Sequence, residues 1–109
     1  MVGIVNNIRP FGQGLMFPDP TNEDDAEFQK VCVENYNLFH RKGLDYGDTW
    51  RKRGLIGMIA EIARKVDRLL NLSERGFTAT VNEPVEDSLQ DLCNYSMMGI
   101  ISYRVAKRK

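Results

Sequence analysis

In the stretch EPVEDSLQDLCNYSMMG, Asp87, Asp91 and Asn94 recur at i, i+4 and i+7, the spacing that sets side chains along one stripe of a helix. Like charges four residues apart repel by roughly 0.2–0.5 kcal/mol. Two stacked aspartates among apolar neighbours therefore make sense where a cation lies between or above them, and hard divalent ions such as Mg²⁺ or Mn²⁺ take oxygen ligands of this kind. A solvated acidic stretch, favoured by the positive end of the helix dipole, explains the same residues. Tyr95 and Met98 continue nearly the same face.

A second constellation is LDYGDTWRKRG at residues 44–54. Asp45 and Asp48 bracket Tyr46-Gly47, and Arg51, Lys52 and Arg53 follow the only tryptophan, Trp50. Carboxylates hold metal, and guanidinium and ammonium groups hold phosphate. The alternative is a solvated turn before a helix. Farther on, Glu61, Lys65 and Arg68 stand at i, i+4 and i+7, a pattern that also makes an ordinary exposed ion pair.

The elements that must position these groups are helices. Residues 1–20 hold three of the four prolines and three glycines, so no helical period survives there. Ile4, Val5, Ile8, Phe11, Leu15, Met16 and Phe17 make them an ordered, extended N-terminal arm, and residues 21–109 the helical domain. The first helix is expected to start near Thr21-Asn22, with Glu23, Asp24 and Asp25 at the positive end of its dipole, and to stop at Gly43. The second is expected over Lys52 to Leu72, with Leu55, Ile59, Ile62, Val66, Leu69 and Leu70 on its inner face, ending at Ser73–Gly76. Phe77 to Val81 is a β-branched connector. The third helix opens at Asn82-Glu83-Pro84, where proline suits the first turn, and closes on Arg104, Lys107, Arg108 and Lys109. The expected fold is all-α: an antiparallel bundle of three long helices. The apolar stripes on the second and third helices are wider than one contact uses, so oligomerisation is expected to complete the bundle as a dimer or tetramer.

Bulk numbers narrow the partners. A chain of 109 residues makes one domain with a modest core. Fifteen basic and fifteen acidic side chains cancel, whereas a protein that lives on a polyanion carries a basic excess, which argues against duplex DNA. Cys32 and Cys93, far apart at core-like helical positions, read as buried free thiols. With His40 the sole histidine, they do not supply a zinc site. No run approaches a membrane span and no signal-peptide pattern opens the chain, so a cytoplasmic protein is expected.

Three segments taken together, DYGDTWR, GLIGMIAEIARKVDRLLNL and VNEPVEDSLQDLCNYSMMGI, resemble the nucleotide modification associated domain 1 family, common in phages. The likeness covers about residues 28–103. That family in turn looks like a distant relative of the all-α MazG-like nucleoside triphosphate pyrophosphatases. Those are helical oligomers that use carboxylates and Mg²⁺ to cut between the α- and β-phosphates. Their E-x-x-E and E-x-x-D pairs are not reproduced here: Glu61 is followed three residues on by Arg64, and Asp91 by Asn94 with Asp87 four before it.

The resemblance implies a nucleotide ligand and, as the first reading, a Mg²⁺-dependent (or Mn²⁺-dependent) deoxynucleoside triphosphate pyrophosphohydrolase acting on the nucleotide pool. Glu61, Asp87 and Asp91 would be its catalytic carboxylates, with Asp45 and Asp48 as further metal ligands. Tyr46 or Trp50 would stack on the base. Arg51, Arg53, Lys65 and Arg68 would neutralise phosphates, and Asn94 would join them in binding substrate. The second reading is a protein that holds a nucleotide or cyclic-nucleotide signal without hydrolysing it, as a viral sponge against host defence.

Overall fold

The computed structural model describes residues 17–76 and 84–108; the side chains of Tyr46 and Pro84 lie outside the described residues. So do most of the expected arm, the 77–81 connector and Asn82-Glu83. Three helices follow in order: α1 (Glu23–Tyr46), α2 (Thr49–Glu74) and α3 (Pro84–Arg108). No strand occurs among the described residues, so the fold is all-α. None of these helices is long and apolar enough to cross a membrane.

The chain divides into two compact units, residues 1–38 and 39–109, and α1 straddles the division. In the first unit, Asn22 caps α1: its side-chain oxygen accepts from the Asp25 N–H at 2.8 Å, while the Asp25 carboxylate accepts from the Thr21 N–H at 2.8 Å. This reciprocal arrangement satisfies donors that the first turn leaves unpaired, and a lost cap costs about 1 kcal/mol.

In the second unit α1 does not stop at Gly43. It runs on to Tyr46, and the Gly47 N–H bonds back to the Gly43 carbonyl at 2.9 Å. A glycine inside a helix costs about 1 kcal/mol, which the rest of the helix tolerates. The residue that ends α1 is Gly47, at φ 73° in the left-handed region that side chains resist. Asp48 takes the N-cap position of α2, although its carboxylate makes no capping hydrogen bond.

α2 starts three residues earlier than the sequence predicts, because a short piece, residues 49–53, precedes a break at Gly54 (φ 66°, ψ −162°). That conformation belongs almost solely to glycine. Arg53 then lies against Gly57, where the Cβ of any other residue would collide with the Arg53 Cβ. In a straight helix Arg53 and Glu61 would be about 12 Å apart along the axis. With the break, the Arg53 guanidinium reaches the Glu61 carboxylate at 3.7 Å.

α2 packs on α3. The contacts pair residues in opposite order: Leu55 and Met58 meet Gly99, and Lys65 meets Asp91. Gly99 lies in this seam, where a Cβ would make ordinary contact, 3.7 Å from Leu55 and Met58. Met58 and Leu72 are buried, and Leu55, Ile62 and Leu69 are half-buried. Ile59, Val66 and Leu70, expected inside, are exposed. The apolar residues of α2 form two adjacent stripes, and periodicity does not say which of them α3 covers. Cys93, expected in the core, is exposed, while Cys32 is half-buried; neither forms a disulfide.

Candidate functional site

Three neighbouring pieces of the second unit build the site: the end of α1, the short segment before the Gly54 break, and the middle of α3. Their first product is an open chamber of about 170 Å³. Phe39, Trp50, Tyr95 and Met98 form its apolar wall; Lys42, Asp91 and Asn94 supply polar groups; Gly43 and Gly47 add backbone without side chains. Trp50 is half-buried and meets Phe39 edge to face, with centroids 6.4 Å apart and planes at 70°, a favoured aromatic geometry.

Thr49, Trp50, Tyr95 and Met98 also line a second cavity of about 220 Å³, completed by Arg53, Met58, Glu61 and Arg64. The two spaces therefore adjoin across Trp50 and Tyr95. One is aromatic and the other basic.

Each cavity contains a carboxylate held between two cations. Asp91 receives Lys42 on Oδ1 at 3.1 Å and Lys65 on Oδ2 at 2.9 Å. Burial pushes the Asp91 carboxyl up, but hydrogen bonds and charge from the two lysines outweigh it and hold it below the usual aspartate range. Glu61 receives Arg64 on Oε1 at 2.6 Å and Arg53 on Oε2 at 3.7 Å. The Glu61 hydrogen bond and charge raise the Arg64 guanidinium above its ordinary value. In each triad two cations against one carboxylate leave a surplus of one positive charge.

These pairings decide how the acidic stripe on α3 is read. The cation that Asp91 meets is lysine, delivered from α2 and α1. All four oxygens of Glu61 and Asp91 face protein cations, so as folded the pair does not fit a divalent ion without displacing them. Among the described residues, no three His, Cys, Asp or Glu side chains stand together as a metal-holding group.

The sequence-predicted residues thus separate into two sets. Trp50, Arg53, Glu61, Asp91 and Asn94 line the two cavities, and Lys65 joins them through its ion pair with Asp91. Asp45, Asp48, Asp87 and Arg68 are exposed and line neither cavity. Arg51 lies with its guanidinium 5.2 Å from the Trp50 ring centroid and borders a separate groove with Leu55, Ile101 and Val105. Tyr46 lies outside the described side chains. Sequence reasoning missed Phe39, Lys42, Thr49 and Arg64 as site residues. For Arg64 a signal existed, because Glu61 three residues earlier is an ordinary helical partner.

A family model described as nucleotide modification associated domain 1 matches residues 42–103. The match takes in more than half of the chain. The chain belongs to the nucleotide modification associated domain 1 family. Every lining residue of the two cavities except Phe39 falls within the matched range. Comparison with curated proteins and with solved structures gave no match.

Proposed function

We propose that this chain binds a nucleotide, with the base in the aromatic chamber and the phosphates over Arg53 and Arg64. The observation that carries this reading is the adjacency of an aromatic cavity and a basic one across shared Trp50 and Tyr95 walls. A flat base gains from stacking on such rings. Its phosphates gain from guanidinium groups, which supply paired donors in a fixed plane. Asn94 is buried on α3 and lines the chamber, which supports a polar contact to the base in this reading. Glu61 and Asp91 then act as positioning groups: each holds two cations near the cavity while leaving one positive charge for the ligand. The family's association with nucleotide modification agrees with this ligand class.

Mg²⁺-dependent pyrophosphohydrolysis in the manner of MazG-like enzymes is the second reading. What favours it is that Glu61 and Asp91 both line the cavities. It requires that incoming phosphates draw the arginines and lysines away and free those carboxylates. Non-hydrolytic capture of a nucleotide signal needs no such rearrangement, and the geometry as folded supports it better.

Because the chain has a single tryptophan, its fluorescence reports directly on the chamber. Titration with a panel of deoxynucleoside triphosphates and cyclic nucleotides, each with Mg²⁺ or with chelator, should change Trp50 emission without requiring metal. The ligand should be recovered intact by chromatography. Absence of any response to every nucleotide would sink the binding reading. Pyrophosphate release only with Mg²⁺ would establish the hydrolytic one in its place.

A further inference from the structure

The two sides of the α2–α3 pair differ in chemistry. One side carries Glu61, Asp91 and Met98 and the cavities above. The other is apolar and exposed. On α2, each residue following a contact position forms a run at 56, 59, 63, 66 and 70, in which Ile56, Ile59, Val66 and Leu70 are 76, 48, 39 and 56% exposed. On α3, the residues that follow Ser88, Gly99 and Ser102 are Leu89, Ile100 and Tyr103, each 50% exposed. The two helices meet in opposite order, so residues one step past the contact line on each fall on the same side of the pair. The result is one continuous apolar face.

We propose that this face is covered by the same face of a second copy, giving a two-fold four-helix layer with the nucleotide cavities on its outer sides. Three observations select this occupant. The three-and-four spacing over residues 56–70 runs for about 21 Å, which suits helices packing along their length and not a small molecule. Seven large side chains at these exposures present on the order of 700 Å², close to the about 800 Å² per partner of a standard interface. Among the described residues, Met58 and Leu72 are the only fully buried hydrophobic side chains, and large apolar side chains of both α2 and α3 stay open. A self-complementary patch closes as a dimer. The proposal stands whether or not a nucleotide binds.

Light scattering and sedimentation of the full chain test it. The expected mass is twice the 12.5 kDa of one chain, with a melting temperature that rises with protein concentration. Ile59→Glu and, separately, Ile100→Glu should halve the mass while keeping helical circular dichroism. Cys93 lies on the same face and is exposed in the single chain. Its alkylation in the unmutated protein should be slow at high concentration and speed up at least tenfold on dilution, a readout that holds even where the glutamate variants do not fold. A 12.5 kDa species with concentration-independent melting overturns the proposal. So does an assembly in which Cys93 reacts at the same fast rate at every dilution, or whose mass neither folded variant reduces.

Discussion

Replacing Asp91 with asparagine removes the negative charge, and one of the two acceptor oxygens, that Lys42 and Lys65 meet at 3.1 and 2.9 Å. The two lysines then lose unequally. The Lys65 side chain is only 14% exposed and Lys42 is 47% exposed, so Lys42 can turn to water and Lys65 largely cannot. Breaking a buried pair by removing one partner costs about 3–5 kcal/mol, and exposed pairs cost about 0–1. A carboxylate still 15% exposed places this case near 2–3 kcal/mol. At about 4–8 °C per kcal/mol for a domain of this size, the midpoint should fall on the order of 10–20 °C. Thermal and urea denaturation followed by circular dichroism would measure it. Lys42→Met alone should cost under about 1 kcal/mol, and Asp91→Asn with Lys65→Met should recover part of the loss. The sign is diagnostic. Were Asp91 instead held for a metal against repulsion from other carboxylates, neutralising it would leave stability unchanged or raise it. An Asp91→Asn midpoint equal to or above that of the unmutated chain would refute the ion-pair account.

Acid should act through the same residue. The folded Asp91 carboxyl lies below its ordinary value, so as pH falls the unfolded chain takes up the proton first. Its contribution is complete above about pH 4 and disappears as pH drops through the lower folded value; acid titration of stability should show this limb, and Asp91→Asn should flatten it. Gly54→Ala forces a side chain into a glycine-only conformation and should cost about 1–3 kcal/mol, measured by urea denaturation. Gly57→Ala raises intrinsic helix propensity but collides with Arg53; nucleotide affinity should drop severalfold in a Trp50 titration even where the helix melts no earlier. Arg53→Gln with Arg64→Gln should weaken triphosphate binding more than tenfold and nucleoside binding little, because neither guanidinium belongs to the chamber.

Local chemistry made much of the fold legible. Asn22 and the acidic first turn announced the start of α1, Pro84 the start of α3, and the 3.6-residue period their course. Gly43 misled because a glycine stops a helix only where the backbone turns left-handed, and that place is Gly47. The second apolar stripe on α2 misled for a related reason: period tells that a face is apolar, not which neighbour covers it. In the site, Trp50, Arg53, Glu61, Lys65, Asp91 and Asn94 were readable as types able to serve a nucleotide. Lys42 was not, because its partner Asp91 lies 49 residues away and only tertiary packing brings them together. Nor does residue type reveal that Glu61 and Asp91 are already occupied by cations.

The Gly54 break has a kinetic consequence. Five residues, 49–53, that carry Trp50 and Arg53 are joined to the long part of α2 through a backbone conformation that does not transmit helical cooperativity. They can fray without loosening residues 55–74, so amide protons on the two sides should exchange at separate rates. A ligand entering between Trp50 and Tyr95 would then meet a wall able to open for far less free energy than unfolding the chain, and would slow exchange on the short side alone.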